Sequence, residues 1–202
     1  MNSKSDATGN SGANFCYATF VVDPPWPYNI RGPASSKEHR PNSHGAATSS
    51  RERYGAMTIE ELKNMRIEDH ATENAHMYLW ATNSFLVEAH VLMEAWGFAY
   101  KTTITWGKVK ADGTPSMKTG FYFRGATEHC LFGVRGKLKL AGPAEPTLIL
   151  TKRLPHSVKP SEFYEMVERQ SPSPRLDVFS RCDRDGWDAF GNEVDSDVEL
   201  VA

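Results

Sequence analysis

The amino-acid sequence predicts an α/β fold in which helices cover both faces of one sheet. Apolar strand-like segments alternate along the chain with helix-like segments, which is typical of this class. The length of 202 residues suits one domain, and the hydrophobic fraction of 40% is ordinary for a globular protein. We therefore expect one folded domain over residues 15–193, with a disordered tail at 1–14 and a loose acidic tail at 194–202.

Two signals place the predicted elements. The segment at 15–22 (FCYATFVV) is aromatic and β-branched, and prolines 24 and 25 stop it as a strand. Thr58 with Glu61 has the spacing of a capping box that opens a helix. On the same grounds we predict strands at 15–22, 76–81, 98–106, 128–134, 147–150 and 175–180, helices at about 58–69, 84–96 and 160–169, and long mobile loops at 29–53 and 107–125.

Composition excludes several classes of protein. The net charge of −2 gives no overall attraction to a polyanion, so any nucleic-acid site must be a local basic patch. The cysteines, Cys16, Cys130 and Cys182, are widely spaced, which argues against a disulfide framework or a zinc module. The chain lacks a signal-like start and any apolar run long enough to span a bilayer. We expect no membrane association and a cytoplasmic protein, or a nuclear one in a eukaryote.

The motif that carries the most information is Asp23-Pro24-Pro25-Trp26, directly after the first predicted strand. In α/β sheets, ligands bind beyond the carboxyl ends of the strands. Arg181 follows the last predicted strand, so we expect Asp23 and Arg181 at the same edge of the sheet.

This motif and a series of later blocks resemble the MT-A70 family of adenine-N6 methyltransferases, in the compact form of its bacterial and phage members. The blocks occur in the family's order and extend over roughly residues 15 to 193. They are Tyr54-Gly55-Ala56-Met57, Leu79-Trp80-Ala81-Thr82, Glu128-His129-Cys130-Leu131, Gly133-Val134-Arg135-Gly136, Lys159-Pro160 with Phe163-Tyr164, Glu168-Arg169 with Ser171-Pro172, Phe179-Ser180-Arg181, Trp187 and Gly191-Asn192.

The resemblance implies a class I (Rossmann-like) methyltransferase sheet with a permuted strand order, S-adenosyl-L-methionine as cofactor, and a nucleic acid as substrate. It implies that Asp23, Pro24, Pro25 and Trp26 are the catalytic residues. The Asp23 carboxylate and the Pro24 carbonyl are suited to accept the two N6 hydrogens, which favours attack by an otherwise weak nucleophile. Trp26 offers a ring on which an extruded base can stack.

The same resemblance assigns residues to the cofactor. Lysine, arginine and asparagine residues that match Lys159, Arg181 and Asn192 contact it in the family, and Val22 and Asp23 at the strand end join this set. The chain departs from the family pattern at three places. Val158 stands where the eukaryotic RNA-modifying branch has histidine, Cys182-Asp183 replaces a Pro-His pair, and Glu193 stands where glutamine is usual. Asp183 and Glu193 are suited to accept hydrogen bonds from ribose hydroxyls.

For the substrate side we single out residues around the motif and in the two loops. They are Trp26, Tyr28, Tyr54, Glu128, Arg51, Arg53, Lys108 and Lys118. The basic residues among them are interpreted as a rim that follows phosphates. Five further aromatic residues are interpreted as core or loop packing: Tyr78, Trp80, Phe121, Tyr122 and Phe123.

Several alternatives stay open. The motif does not distinguish DNA from RNA, and we favour DNA because the chain lacks a zinc module and a long RNA-binding extension. A non-catalytic nucleic-acid-binding subunit is the third hypothesis, against which Asp23 and Lys159 both argue. We expect no metal site, since no second histidine lies at ligand spacing from His129, and a monomer or dimer, with a family-related partner subunit as a further option.

Overall fold

The computed structural model describes residues 16–28, 55–119, 122–154 and 158–200. The two predicted tails and the loop at 29–53 therefore lie wholly or partly outside the described residues, as do Arg51, Arg53, Tyr54 and Phe121. The elements are β1 (Tyr17–Val22), α1 (Ile59–Lys63), β2 (Ala71–Ala81), α2 (Leu86–Ala95), β3 (Ala99–Val109), β4 (Thr127–Arg135), β5 (Leu148–Lys152), α3 (Ser161–Gln170), β6 (Arg175–Val178) and β7 (Asp188–Phe190).

The strands form a 7-stranded sheet in the order β5-β3-β4-β2-β1-β6-β7. β4 runs antiparallel to both of its neighbours, while every other pairing is parallel, so all strands except β4 point the same way. Their carboxyl ends and the amino end of β4 meet at one edge, which we call the C-terminal edge. The first strand of the chain lies inside the sheet with the last two beside it, which confirms the α/β class and the permuted order.

Alternation along the strands separates two apolar layers. Phe20 and Val22 pack on one face of the sheet with α1 and α2, whereas Val21 packs on the other face with α3. Because side chains alternate across a strand, β1 is buried on both faces. The helices thus cover both faces, as the sequence predicts. In the described part of the chain, no helix is long and apolar enough to cross a membrane.

Helix α1 begins as predicted but ends early. The Thr58 hydroxyl accepts a hydrogen bond from the Glu61 backbone N–H, and the Glu61 carboxylate accepts one from the Thr58 N–H at 2.7 Å. The predicted helix to about residue 69 is interrupted after Lys63, because Arg66 adopts a left-handed conformation with φ of 51°. A short 3-10 turn, Ile67–His70, then leads into β2.

Two segments that the sequence analysis treats as irregular are ordered parts of the fold. β3 continues to Val109, so the predicted loop at 107–125 is wrong at its start. Gly107 lies in this extension, paired with Thr127 of β4 and Leu150 of β5. The prediction of a loose tail at 194–202 is also wrong as far as residue 200. Asp197 pairs with Ala189 of β7 through both its N–H and its carboxylate, and Leu200 is buried in the core.

Candidate active site

The Asp-Pro-Pro-Trp segment leaves β1 as a tightly held turn at the C-terminal edge. The Asp23 N–H still donates to the Val178 carbonyl of β6 at 3.3 Å, and the prolines that follow carry no donor to extend the ladder. The Trp26 N–H donates to the Pro24 carbonyl at 2.8 Å. That carbonyl oxygen has a second lone pair, so it remains competent to accept a substrate hydrogen.

Trp26 does not offer a free ring to a base, which corrects the sequence-based prediction. Its side chain is 5% exposed, it stacks on Phe85 with centroids 5.1 Å apart and planes at 10°, and its indole N–H donates to the Trp80 carbonyl at 3.1 Å. The stacking on Phe85 and the hydrogen bond to Trp80 together fix the ring in the core. Trp26 therefore anchors the Asp-Pro-Pro-Trp turn, and its ring is not free to stack on a base.

Tyr28 lies at the same edge and is partly open to solvent. Its hydroxyl shares a hydrogen bond of 2.7 Å with the Thr82 hydroxyl, which follows β2, and its ring meets Phe85 edge-on at 4.9 Å. Burial raises the pKa of Tyr28, so its hydroxyl stays protonated near neutral pH. The predicted contact of Tyr28 with a substrate stays a prediction.

A cluster of ionised side chains is built around Lys159, just before α3. The Lys159 ammonium lies 2.9 Å from the Asp23 carboxylate and 3.3 Å from the Glu128 carboxylate, and it sits 4.8 Å from the centre of the Trp80 ring. Burial works against its charge, but the two carboxylates outweigh burial and raise its pKa. The fold thus brings Asp23, Glu128 and Lys159, which are far apart in sequence, into contact at the end of β1 and the starts of β4 and α3.

Glu128 extends this cluster toward β3. One of its oxygens forms a salt bridge with Lys108, and Lys118 lies 3.7 Å from the same oxygen. Burial favours the neutral acid, but Lys159 and Lys108 reverse this and lower the pKa of Glu128 to about 2. The site therefore combines carboxylates of Asp23 and Glu128 with ammonium groups of Lys108, Lys118 and Lys159, leaving a net charge of +1.

Lys108 differs from its predicted place on an exposed loop. It is 7% exposed, its ammonium lies 4.0 Å from the centre of the Trp106 ring, and burial lowers its pKa against the opposing effect of Glu128. The reason is the cross-strand register, in which Trp106 lies opposite Glu128 and Gly107 opposite Thr127. A side chain held in this way supports the charge cluster and is not placed to follow phosphates on the surface.

His129, the neighbour of Glu128 on β4, belongs to a separate hydrogen-bond network. Its ring nitrogens contact the Asn83 side-chain oxygen at 2.6 Å and the Thr105 hydroxyl at 3.2 Å. Adjacent strand residues point to opposite faces, so the pair does not act together. Across the ranges that the structure describes, no group of histidine, cysteine and acidic side chains is arranged to hold a metal ion.

Four of the predicted cofactor residues, Arg181, Asp183, Asn192 and Glu193, lie beyond β6 and β7, on the side of the edge that adjoins Asp23. The Arg181 guanidinium is 4.0 Å from the Glu193 carboxylate, and the Ser180 N–H donates to the Phe190 carbonyl. Asp183 is exposed in the segment between β6 and β7. Val22 is the last residue of β1 and is fully buried. Since β1 and β6 pair in parallel, the Asp-Pro-Pro-Trp turn and these residues lie at the same edge of the sheet.

Sequence reasoning missed Asp177, a carboxylate near the end of β6. It is 5% exposed, accepts a hydrogen bond from the Tyr164 hydroxyl at 2.9 Å, and lies 3.4 Å from the Ser180 hydroxyl. Burial raises its pKa to about 6. The available signal was an aspartate inside the apolar strand RLDVF, because an unpaired charge is seldom placed there.

Comparisons with known proteins agree with this geometry. The MT-A70 family model matches residues 17–193. A putative N(6)-adenosine-methyltransferase MT-A70-like protein from Medicago truncatula is 26% identical over 192 residues, and the human N(6)-adenosine-methyltransferase catalytic subunit METTL3 is 25% identical over 198 residues. These alignments cover 92% of this chain but only 27% and 30% of the two relatives.

A shorter relative aligns over most of both proteins. The type II methyltransferase M.MunI from Mycoplasma sp is 24% identical over 194 residues, which is 91% of this chain and 81% of the relative. The chain thus spans about a quarter of the length of the plant relatives that it matches and most of the length of M.MunI. Because the family model covers nearly all of the described sheet and both sides of its C-terminal edge, the chain belongs to the MT-A70 family.

Proposed function

We propose that this protein transfers a methyl group from S-adenosyl-L-methionine to N6 of adenine in DNA. The observation that carries the proposal is the Asp23 carboxylate at the end of β1, held by Lys159 and followed by the Pro24 carbonyl. Family membership supports adenine-N6 methyl transfer as the reaction. The choice of DNA rests on the alignment with M.MunI, which extends over 81% of that relative.

The turn is suited to activate an exocyclic amine. The lone pair of adenine N6 is delocalised into the ring, and acceptors aimed at both N6 hydrogens favour the tetrahedral geometry that attack requires. Lys159 contacts Asp23 through Oδ2, which leaves Oδ1 as the oxygen suited to accept one hydrogen. The Pro24 carbonyl, already aligned by its hydrogen bond from Trp26, is suited to accept the other.

The residues at the edge also fit the cofactor. S-adenosyl-L-methionine, when bound, supplies a methyl group already activated on a sulfonium. The Lys159 ammonium has three donor hydrogens, and Asp23 and Glu128 engage two directions, so a third partner such as a carboxylate can join. The net charge of +1 in the cluster favours such an anion. Arg181, Asn192 and Glu193 would hold the hydroxyl-rich part, since they supply both donors and acceptors.

Glu128 and Lys108 hold the Lys159 ammonium in place, Glu128 directly and Lys108 through Glu128. Glu128 holds the second side of the Lys159 ammonium, and Lys108 balances the charge of Glu128. The arrangement fixes Lys159 against Asp23, so that the Asp23 side chain stays oriented during the reaction. Electrostatic preorganisation of this kind costs no rearrangement when charge develops on the amine.

Two relatives favour different nucleic acids. M.MunI, whose type II name belongs to DNA-modifying enzymes, is matched over 81% of its length, which supports DNA as the substrate. Relatives named N(6)-adenosine-methyltransferases support RNA as the alternative substrate, although they are several times longer. A non-catalytic subunit remains the weaker hypothesis, because Asp23 and Lys159 are present and in contact.

Nucleoside mass spectrometry tests the proposal. The purified protein is incubated with cofactor carrying a labelled methyl group and with duplex DNA, single-stranded DNA or RNA of the same sequence. We expect labelled N6-methyl-2′-deoxyadenosine from DNA at a higher rate than N6-methyladenosine from RNA. Preferential labelling of RNA would replace DNA by RNA, and absence of label from every polymer at any cofactor concentration would reject the enzyme.

A further inference from the structure

Two neighbouring aromatic residues of the loop between β3 and β4 stand out from the protein surface. Tyr122 is 96% exposed and Phe123 is 93% exposed, the highest values among the large apolar side chains that the structure describes. The interpretation of both as core or loop packing is therefore wrong. Exposed apolar rings that adjoin each other commonly mark an interaction site.

The base of this loop is fixed to the active site. The Lys118 N–H donates to the Gly125 carbonyl at 2.8 Å, and the Arg124 guanidinium donates to the Lys118 carbonyl at 3.2 Å. The Lys108 N–H donates to the Ala126 carbonyl at 2.8 Å. Since the Lys118 ammonium also lies 3.7 Å from the Glu128 carboxylate, the base of the loop is in contact with the charge cluster.

Both rings follow closely along the chain from the hydrogen-bonded base of the loop. Phe123 is two residues from Gly125, which is hydrogen-bonded to Lys118, so its Cα lies within about 7 Å of the Gly125 Cα. Consecutive bases of one strand are about 3.4 Å apart in B-form DNA. The rings are therefore within reach of a nucleotide only a few steps from an adenine held at Asp23.

The charge around the rings selects the kind of partner. Residues 110–126 contain Lys110, Lys118 and Arg124 against one acid, Asp112, which gives a net charge of +2. The Asp112 carboxylate accepts hydrogen bonds from Thr114 within its own turn, at 2.6 and 3.0 Å. Exposed aromatic rings between basic side chains complement a polyanion whose bases have apolar faces, and they match the stacking surfaces of proteins that bind single strands.

We propose that Tyr122 and Phe123 form a stacking platform for a nucleobase a few nucleotides from the target adenine, and so select substrates in which that base is unpaired or unstacked. This inference rests on the proposed function, since it assumes a nucleic-acid substrate at Asp23. It also supplies the aromatic contact that the buried Trp26 does not offer. Lys118 and Arg124 then meet the phosphates on either side of the stacked base.

Fluorescent oligonucleotides test the platform without any methyl transfer. Single-stranded oligonucleotides with one adenine carry 2-aminopurine at successive positions on either side of it, because this base analogue loses fluorescence when it stacks on an aromatic ring. Loss of a stacking ring weakens binding of a base by roughly 5- to 150-fold. For Tyr122→Leu/Phe123→Leu we expect a dissociation constant higher by that factor, loss of the quenching, and unchanged affinity for S-adenosyl-L-methionine. Tyr122→Trp/Phe123→Trp should keep both binding and quenching.

The matched control is Tyr100→Leu, which alters a half-exposed tyrosine at the start of β3, on the opposite edge of the sheet. It should bind the oligonucleotide as the wild type does. If the wild type binds and quenches but the double leucine variant does so equally, the platform is refuted while the proposed function stands. A double leucine variant that changes only self-association in size-exclusion chromatography also refutes it, in favour of a protein contact. A wild type that binds no nucleic acid overturns both.

Discussion

Replacement of Glu128 by glutamine tests the charge cluster at its centre. Glu128→Gln keeps the size and hydrogen-bonding atoms of the side chain but removes the negative charge that Lys108 and Lys159 share. Both lysines are at most 10% exposed as side chains, so water cannot replace the lost carboxylate. We therefore expect Glu128→Gln to lower the free energy of unfolding more than replacement of an exposed glutamate by glutamine does.

Two independent estimates give the size of the defect. The pKa of Glu128 falls from 4.5 to about 2 in the folded protein, which at ~1.36 kcal/mol per tenfold change is worth about 3 kcal/mol at neutral pH. Removal of one partner from a buried ion pair typically costs about 3–5 kcal/mol. The two values agree, so Glu128→Gln should lower the free energy of unfolding by about 3 kcal/mol at pH 7.

The sign of the pH dependence makes this prediction specific. A carboxylate whose pKa is lowered by folding stabilises the protein fully above its ordinary pKa of 4.5, and that stabilisation is lost as the pH falls toward 2. By this relation the wild type loses about 2 kcal/mol of the Glu128 contribution between pH 7 and pH 3. The stability gap between wild type and variant should shrink by that amount.

Urea unfolding followed by tryptophan fluorescence at pH 7 and pH 3 measures the gap. Glu165→Gln, on the exposed face of α3, is the matched control and should stay within about 0.5 kcal/mol of the wild type at both values. A Glu128→Gln defect below about 1 kcal/mol at pH 7, or one that is the same at pH 3, would refute the assignment of a strong charge cluster at the C-terminal edge.

Three further predictions concern the fold around the site. Trp26→Ala should lower the free energy of unfolding by about 3–5 kcal/mol in denaturant titration, because the ring is packed on Phe85 in the core. A loss under about 1 kcal/mol would mean that the ring is not buried there. His76, buried and hydrogen-bonded to Ser171, has its pKa lowered by burial, so stability should fall as the pH drops below 6.5, and His76→Gln should flatten that part of the profile. Leu200→Ala should lower the melting temperature measurably, whereas a loose tail would leave it unchanged.

The sequence predicted most of the sheet because local chemistry determines those elements. The strand at 17–22 is buried on both faces, and its apolar run followed by two prolines defines both the strand and its end. The capping residues of α1 satisfy each other within four positions, so their contact is visible in sequence alone. The three residues of β7 escaped detection, because so short a strand exists only through its pairing with β6.

The errors at the site have a different cause. A lysine next to a glycine at the end of a strand is typical of a surface loop, and only the register of β3 against β4 shows that Lys108 meets Glu128. Trp26 follows the same rule, since its neighbour Phe85 comes 59 positions later in the chain. Contacts between distant segments decide which aromatic residues are buried and which, such as Tyr122, remain exposed.

The proposed reaction rests on Asp23 accepting a hydrogen from adenine N6, and single-turnover kinetics of Asp23→Ala, which removes both acceptor oxygens, tests this most directly. Loss of one such electrostatic contact typically lowers the rate of the chemical step by about 10²- to 10³-fold. We expect that loss with the affinity for nucleic acid nearly unchanged, while Asp69→Ala, at the opposite edge of the sheet, keeps the wild-type rate. A well-folded Asp23→Ala protein that retains more than about a tenth of the wild-type rate would contradict this role of Asp23.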